Sequence, residues 1–520
     1  MSDALLVRGA YVLTDPAKRG DEALVRDGAV LVEGSRIAAV GPYAELRAAQ
    51  GDRLPEIGSE RHLVMPGMVN AHHHGVGLSD TRLGVQDSYL ERWLVDAFAE
   101  PPLDPYLDVL WGDLRNLRAG VTTLLHTAYD RVGVDYEGES RAKVRAHAAS
   151  GIRATYGVHV RDTRLRVYDD DSVLAALAPQ DVGDRFLQAV AGGPPVGPER
   201  MEALFRALRE EHAGHPTVSI ALAPLGAQWS TDETLATVRR LATETGCAIH
   251  MHCLETRQQR AFAARTYGGR SMVEQLDVLG FLDEQVTLGH AVWLTERDAE
   301  LVAERGVSVV QNAGSNLRLG SGIQPLPELC ACGVNVAIGM DGLTLGDDED
   351  MLAELRLVQA LHRLPGDAAP PSPGISPAHV VELATVGGAR TLGLEREIGR
   401  LAPGMRADLI TIDLDRLRAP YVAPSVDPLT ILVQRGRLGD VEDVLVDGRV
   451  LLRAGAFTQV DEATTIEQLV AGAVLHEDAP PEAFRAAMAE IAPYVDAFFA
   501  RDAAERPDTR DGWTDVNRRR

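Results

Sequence analysis

Apolar runs of strand length recur through the middle of the chain, and that recurrence limits the fold more than any other feature. Residues 68–74, 121–125, 152–158, 218–222, 248–252, 286–290, 307–311 and 334–341 are such runs. Most are apolar on both faces, the pattern of a parallel strand covered on each side. Helical stretches separate them. Residues 232–244 follow Ser230 with Glu233 three positions on, matching a capping box. Residues 295–305 carry Glu296 and Asp298 in the first turn and Gly306 just past the end. This alternation predicts an α/β fold: a (β/α)8 TIM-like barrel over residues 66–397, with crossover helices.

The flanks read differently. Residues 4–65 look all-β, with short apolar segments at 5–7, 11–13, 29–32 and 37–40 and turns such as Asp27-Gly28 and Glu33-Gly34. The same texture returns at 407–412 and 441–450, around a tight turn at Asp447-Gly448. We expect residues 1–65 and 398–460 to build one small composite β-sandwich domain. Residues 461–520 form a helical C-terminal extension, in which 466–475 and 481–500 carry three-four apolar spacing. Residues 501–520 are charged, and are expected to fray or to pack on a partner.

Composition narrows the function. A formal charge of −24 argues against nucleic acid or an anionic membrane as partner. No run reaches 18 apolar residues, and the N-terminus carries no signal-like segment, so the expected compartment is the cytoplasm. Cys247, Cys253, Cys330 and Cys332 are too few for a disulfide framework and have no C-x-x-C spacing; they read as buried thiols. Lysine occurs only at Lys18 and Lys143.

In a parallel barrel the active site lies at the C-terminal ends of the strands. Strand one ends in His72-His73-His74, strand two runs into His126, strand three into His159, strand five into His252, strand six into His290 and strand eight into Asp341. The chain has fifteen histidines, and their concentration at one rim points to metal chemistry. Strand alternation puts His72 and His74 on one face and turns His73 away. Alone, an H-x-H reads more readily as a polar strand end with surface histidines; with His252 and Asp341 it becomes a three-His, one-Asp set suited to a divalent ion. Glu255, three residues past His252, can reach over that ion and ferry protons. His250 shares a strand face with His252 and reads as a packed histidine.

Together these segments resemble the amidohydrolase superfamily, in its mononuclear, cytosine-deaminase-like or chlorohydrolase-like branch. P-G-M-V-N-A-H-H-H (66–74) resembles the first-strand signature, whose ligands are the outer histidines. I-H-M-H-C-L-E-T (249–256) resembles the fifth-strand motif of ligand His252 and shuttle Glu255. L-G-H-A-V-W-L-T (288–295) is similar to the sixth-strand motif, N-A-G-S-N-L-R-L-G-S-G-I (312–323) to the following loop, and G-M-D-G (339–342) to the eighth strand with Asp341. I-G-R-L-A-P-G-M-R-A-D-L (398–409) resembles the return into the composite domain, so the similarity spans most of residues 5–455. Two-metal members carry a bridging lysine on strand four. Residues 216–230 hold none, so one ion per subunit is expected, zinc first and iron second.

The resemblance implies deamination of an amino-substituted N-heterocycle (pyrimidine, pterin, purine or triazine) by metal-activated water, with release of ammonia. Asp341 would take the water proton, Glu255 protonate the ring nitrogen, and His290 polarise the attacked carbon. Alternatives on the same site are dechlorination, dealkylamination, thiohydantoin desulfuration or cyclic-amide opening; a non-catalytic assembly protein is the alternative of another class. Gln228 and Trp229 stand at the mouth of strand four, where an indole can stack on a planar ring and an amide can pair with its edge. His126, His159 and Arg161 are further candidate substrate contacts, and Arg82, Arg161 and Arg318 could each meet a substrate carboxylate. Asn312, Ser315 and Asn316 read as bracing residues. The loop at 75–93 departs from the patterns of guanine and adenosine-derivative deaminases. The expected partners are a small heterocycle and water, and the helical tail suggests a homodimer or larger assembly.

Overall fold

The structure is a computed structural model describing residues 4–50, 54–98, 100, 103–129, 135–163, 165–191, 196–363, 374–475 and 481–505. Four strands come first: β1 (Ala4–Leu13), β2 (Leu24–Glu33), β3 (Arg36–Pro42) and β4 (Glu56–Pro66). Eight follow in the middle: β5 (Met68–His73), β6 (Val121–Thr127), β7 (Arg153–Val160), β8 (Val218–Pro224), β9 (Ile249–Cys253), β10 (Val286–His290), β11 (Ser308–Gln311) and β12 (Asn335–Ile338). The last four are β13 (Leu409–Asp413), β14 (Val441–Val446), β15 (Arg449–Arg453) and β16 (Ala456–Phe457).

Strands β5 to β12 pair in sequence order, and every ladder between them is parallel. Two hydrogen bonds close the ring: Met340 N donates to Asn70 Oδ1 of the side chain at 2.9 Å, and Asp341 N donates to the His72 main-chain carbonyl at 2.9 Å. The expected eight-stranded barrel is therefore present. Its main apolar cluster joins residues of the barrel strands to the covering helices, so the strands are buried on both faces. That is why they read as continuous apolar runs.

The composite domain draws on both ends of the chain, as expected, and its eight strands join edge to edge in the order β16-β15-β14-β13-β4-β1-β2-β3. The joint is β4, which pairs parallel with β1 and antiparallel with β13. Two details differ from the sequence reading. Residues 4–65 are not all-β, because Tyr43–Gln50 is a helix; its Y-A-E-L-R-A-A-Q is rich in good helix formers. The helix Asp232–Thr245 is capped by Thr231, whose side chain accepts from Thr234 N, and not by Ser230. Cys247 and Cys253 are buried as expected, whereas Cys330 and Cys332 are only half-buried.

Arg153, at the start of β7, makes a buried two-pronged ion pair with Asp408 at 2.7 and 2.9 Å, tying the barrel to the composite sheet. The C-terminal extension comprises helices Glu462–Leu475 and Glu482–Glu505; the remaining charged tail lies outside the described residues. The longer helix buries Met488, Ile491, Val495 and Phe498 against the helices Leu90–Ala97 and Gln180–Val190, both inserted on the barrel. Among the described residues, no helix is long and apolar enough to cross a membrane.

Candidate metal and catalytic site

Four ligand atoms converge where β5, β9 and β12 end. His72 Nε2 lies 2.9 Å from Asp341 Oδ1, and His74 Nε2 lies 3.1 Å from the same oxygen. His252 Nε2 is 3.3 Å from His74 Nε2. Ligands about 2.0–2.1 Å from a four-coordinate ion sit about 3.3 Å apart, so these separations are close to the edges of such a tetrahedron.

Hydrogen bonds behind the rings orient them. His74 Nδ1–H donates to the Thr127 carbonyl at 2.7 Å, and His252 Nδ1–H donates to the Leu225 carbonyl at 2.8 Å. Each bond leaves Nε2 as a lone pair facing the centre. His72 Nδ1 and His250 Nε2 share a hydrogen bond of 2.6 Å, which gives His250 a place behind the first ring. His72 Nε2 and Asp341 Oδ1 are both buried and lack a hydrogen-bond partner, although they face each other. Two acceptors aimed at one point call for a cation. Burial holds His72 down to about 4 and His252 well below the ordinary imidazole range, so both rings are neutral and able to ligate. Burial opposes the charge of Asp341 as well, but His72, His74 and His290 around it keep its carboxyl well below the usual range. The residues present fit a divalent ion.

His290 stands close by: one ligand atom each from His72, His252, His290 and Asp341 lies within 4.8 Å of the others, a set in which His290 takes the place of His74. Its Nδ1 is nevertheless engaged by Asn316 Oδ1 at 2.9 Å and lies 3.7 Å from Glu255 Oε1. Its Nε2 is 3.9 Å from Asp341 Oδ2. The ring thus stands between the two carboxylates. Ser315 donates to Asp341 Oδ2 at 2.5 Å, so the loop expected to brace does so through the carboxylate itself. Glu255 is 3% exposed, and burial pushes its carboxyl up to about 7. A carboxyl poised there can both hold and release a proton at neutral pH.

The backbone is strained at these same strand ends. Leu254, His290, Ala291 and Asp341 have φ of 48°, 66°, 46° and 65°, in the left-handed region that non-glycine residues avoid. Such conformations collect where side chains must be aimed.

The other candidates divide. His73 turns away, as expected, and meets Glu349 at 3.1 Å, pinning the loop after β12. Gln228 is 1% exposed, and neither end of its amide has a hydrogen-bond partner. That amide folds beside Gly226, which bridges to His252, so it lies next to the ligand strand. Trp229 is committed to the protein: its Nε1 donates to the Leu165 carbonyl at 3.0 Å, and the Arg161 guanidinium covers its ring at 5.2 Å. Arg161 Nε also donates to the Thr163 carbonyl at 3.1 Å. His126 faces the covering helices, where its Nδ1 bonds His147 Nε2 at 2.9 Å and His147 Nδ1–H donates to Asp113 at 2.9 Å. His159 packs edge-on against the Tyr136 ring, at 4.9 Å between centroids. Arg318 grips Asp87, with contacts of 2.8 to 3.1 Å, and Arg82 pairs with Asp347 at 3.0 Å, so both are met by the protein's own carboxylates. A cavity of about 250 Å³ opens beside His74, with Tyr129, Asp108, Glu139 and Lys143 in its wall.

Sequence reasoning missed Glu91. It is fully buried on the helix Leu90–Ala97 and accepts hydrogen bonds from Thr256 and Tyr168. No motif marks it; a carboxylate inside an amphipathic helix looks like any surface acid until the partners are in place.

Residues 63–451 match the Amidohydrolase family, and residues 28–51 match the Imidazolonepropionase-like composite domain of bacteria. A 5-methylthioadenosine/S-adenosylhomocysteine deaminase of Moorella thermoacetica is 31% identical over 84% of this chain and 92% of its own length. The protein of that name from Syntrophobacter fumaroxidans is 32% identical over 87% of this chain and 93% of its own. Among solved structures, an adenosine deaminase of Xanthomonas campestris with bound zinc is 27% identical, with a TM-score of 0.74 over 90% of this chain and 97% of that one. The loop at 75–93 reads away from adenosine-derivative deaminases, whereas similarity over 84–87% of the chain runs to enzymes so named.

Proposed function

This chain belongs to the amidohydrolase family, and from that premise we propose that it deaminates an adenine nucleoside, one lacking or replacing the 5′-hydroxyl, with release of ammonia. A single ion, zinc in this reading, would be held by His72, His74, His252 and Asp341. The observation that carries the reading is the convergence of three imidazole Nε2 atoms on an Asp341 oxygen, with Glu255 and His290 alongside. A chain that had given up catalysis would have no reason to keep such a set with its shuttle. Relatives 31–32% identical and named for adenosine derivatives support the substrate class.

When bound, the ion supplies Lewis acidity that brings the pKa of water from about 15.7 toward neutrality. Asp341, held as a carboxylate, accepts a proton of the attacking water. Glu255 presents its proton to the ring nitrogen next to the amino-bearing carbon, then carries a second to the departing amine. His290, fixed by Asn316, hydrogen-bonds the oxygen that becomes the new carbonyl. The oxygen of water ends on the ring carbon, its two hydrogens on the ring nitrogen and on ammonia, and the carbon–amine bond breaks. The buried, unpartnered Gln228 amide is the side chain we assign to the edge of the heterocycle. The cavity beside His74, walled by Asp108, Glu139 and Lys143, offers hydrogen-bonding groups for the sugar. We expect a homodimer or larger homo-oligomer, which light scattering would check.

The test is ammonia release by zinc-reconstituted protein on 5′-deoxyadenosine, 5′-methylthioadenosine, S-adenosylhomocysteine, adenosine, guanine and a chlorotriazine. Turnover of the first three ahead of the rest is the expected result. Turnover of guanine or the triazine, with no adenine nucleoside consumed, would overturn it.

A further inference from the structure

Glu255 is borne on very little backbone. It follows Leu254, a left-handed residue, and precedes Thr256, the cap of the helix Arg257–Thr266. Its carboxylate touches Ser321 at 3.3 Å and faces the His290 ring, contacts too weak to aim it. Its main chain is held from below instead. Glu255 N donates to Gln259 Oε1 at 2.9 Å, and Gln259 Nε2 donates to the Tyr168 hydroxyl at 3.3 Å. Tyr168 in turn donates to Glu91 Oε1 at 3.0 Å, and the Thr256 hydroxyl donates to that same oxygen at 2.5 Å. The circuit starts and finishes on the two residues Glu255 and Thr256. Besides Gln259 on the helix that Thr256 caps, it is anchored by Glu91, from a helix inserted after the first barrel strand.

Glu91 is a costly anchor if all it does is fill space. It is 0% exposed, its Oε2 has no hydrogen-bond partner, and the side chains that bond its Oε1 among the described residues are neutral hydroxyls. A buried carboxyl without a cation is tolerated where something other than stability is served. The Tyr168 ring is packed by Trp229 and Phe262, each 6.0 Å away between centroids, and by Phe499 of the C-terminal helix at 6.4 Å. The C-terminal extension therefore backs one arm of the circuit.

We propose that Glu91 is a positioning residue. Through Thr256, and through Tyr168 and Gln259, it fixes the main chain that carries Glu255, so that the shuttle carboxyl faces His290, and the C-terminal helix supports this clamp from behind Tyr168. The proposal rests on the shuttle role given to Glu255 above, and its test is built so that the two can fail separately.

The measurement is hydrogen–deuterium exchange on the zinc-loaded full chain, alongside deamination of 5′-deoxyadenosine. Glu91→Ala should speed exchange across residues 255–260 at least fivefold and leave β9 and β10 as they are. It should lower kcat at least tenfold with KM within threefold. Glu91→Gln, which keeps an oxygen able to accept both hydroxyls, should recover most of both effects. In a Glu255→Gln background Glu91→Ala should lower kcat no further. Exchange that is unchanged at 255–260, or raised equally across the barrel, overturns the clamp whatever the activity. So does a full kcat loss on top of Glu255→Gln. If Glu91→Ala does not fold, Tyr168→Phe removes one arm conservatively: local loosening at 255–260 supports the clamp, and none overturns it. Full turnover in Glu255→Gln would sink the shuttle role, while the exchange result still decides the clamp.

Discussion

Two groups of buried histidines lie within the same barrel, and they differ in where their protons go. In the first, His72, His74 and His252 turn their Nε2 atoms to one point, and Asp341 answers with an oxygen that no donor reaches. In the second, His126 Nδ1–H donates to His147 Nε2, His147 Nδ1–H donates to Asp113, and Ser150 completes that carboxylate at 2.7 Å. One group aims several lone pairs at a single point; the other is a chain of donors ending on an acceptor, with only His126 Nε2 left over. The second group is fully buried, whereas His74 of the first is half-buried; the first alone gathers three Nε2 atoms and a carboxylate oxygen at one point, so only the first suits a metal. A histidine at a barrel rim is thus not a ligand by position alone.

The contrast can be broken by removing a member of each group. The largest effect should come from His252→Ala, which leaves the first group one ligand short. We expect zinc content to fall well below one ion per chain and turnover to drop by roughly 10³ or more, as the pKa of water moves back toward 15.7. Retained zinc with retained turnover would mean that His290 ligates in its place. Glu255→Gln should keep the metal and lose turnover by about 10²–10⁴, the range for general acid–base groups. Metal analysis beside the ammonia assay separates these two variants.

In the second group Asp113→Asn should act on stability alone. It takes the charged acceptor from His147, at a cost of about 1–3 kcal/mol in urea unfolding. Zinc content should be unaltered and kcat within threefold; a lost metal would show that the two groups are coupled. The smallest effect is on pH dependence. Burial, with the neighbouring His147, keeps His126 well below its ordinary 6.5, so the folded protein holds it neutral. Above about pH 6.5 the unfolded chain is neutral there too, and nothing is lost. As the pH falls below that value the unfolded chain takes up a proton that the folded one refuses. Stability then declines by up to about 1.4 kcal/mol per pH unit from this ring. His126→Gln should flatten the slope between pH 7 and 5 by that amount, and identical slopes would show that the ring is charged in the fold.

Much of this was legible in the residues. The barrel showed in the apolar runs, because strands buried on both faces have little choice of composition. The candidate ligands could be picked out at the strand ends, because a period of two puts His72 and His74 on one face and His73 on the other. Glu255 and His290 were marked by their places just past β9 and at the end of β10. The helix Tyr43–Gln50 was passed over because its surroundings are strands, although its own residues favour helix.

What the sequence alone determined is therefore the class of fold, the chemistry of the rim and the residues able to hold an ion. The tertiary structure decided which polar groups are already satisfied. His126 Nδ1 found His147, the Trp229 indole found Leu165 and the Arg318 guanidinium found Asp87. Asp341 Oδ1 and the Gln228 amide found nothing. Partners such as Asp113 and Glu91 lie far along the chain from the groups they serve, on helices whose approach depends on packing. Local pattern says which atoms can bond; only the folded chain says which of them still have a bond to make.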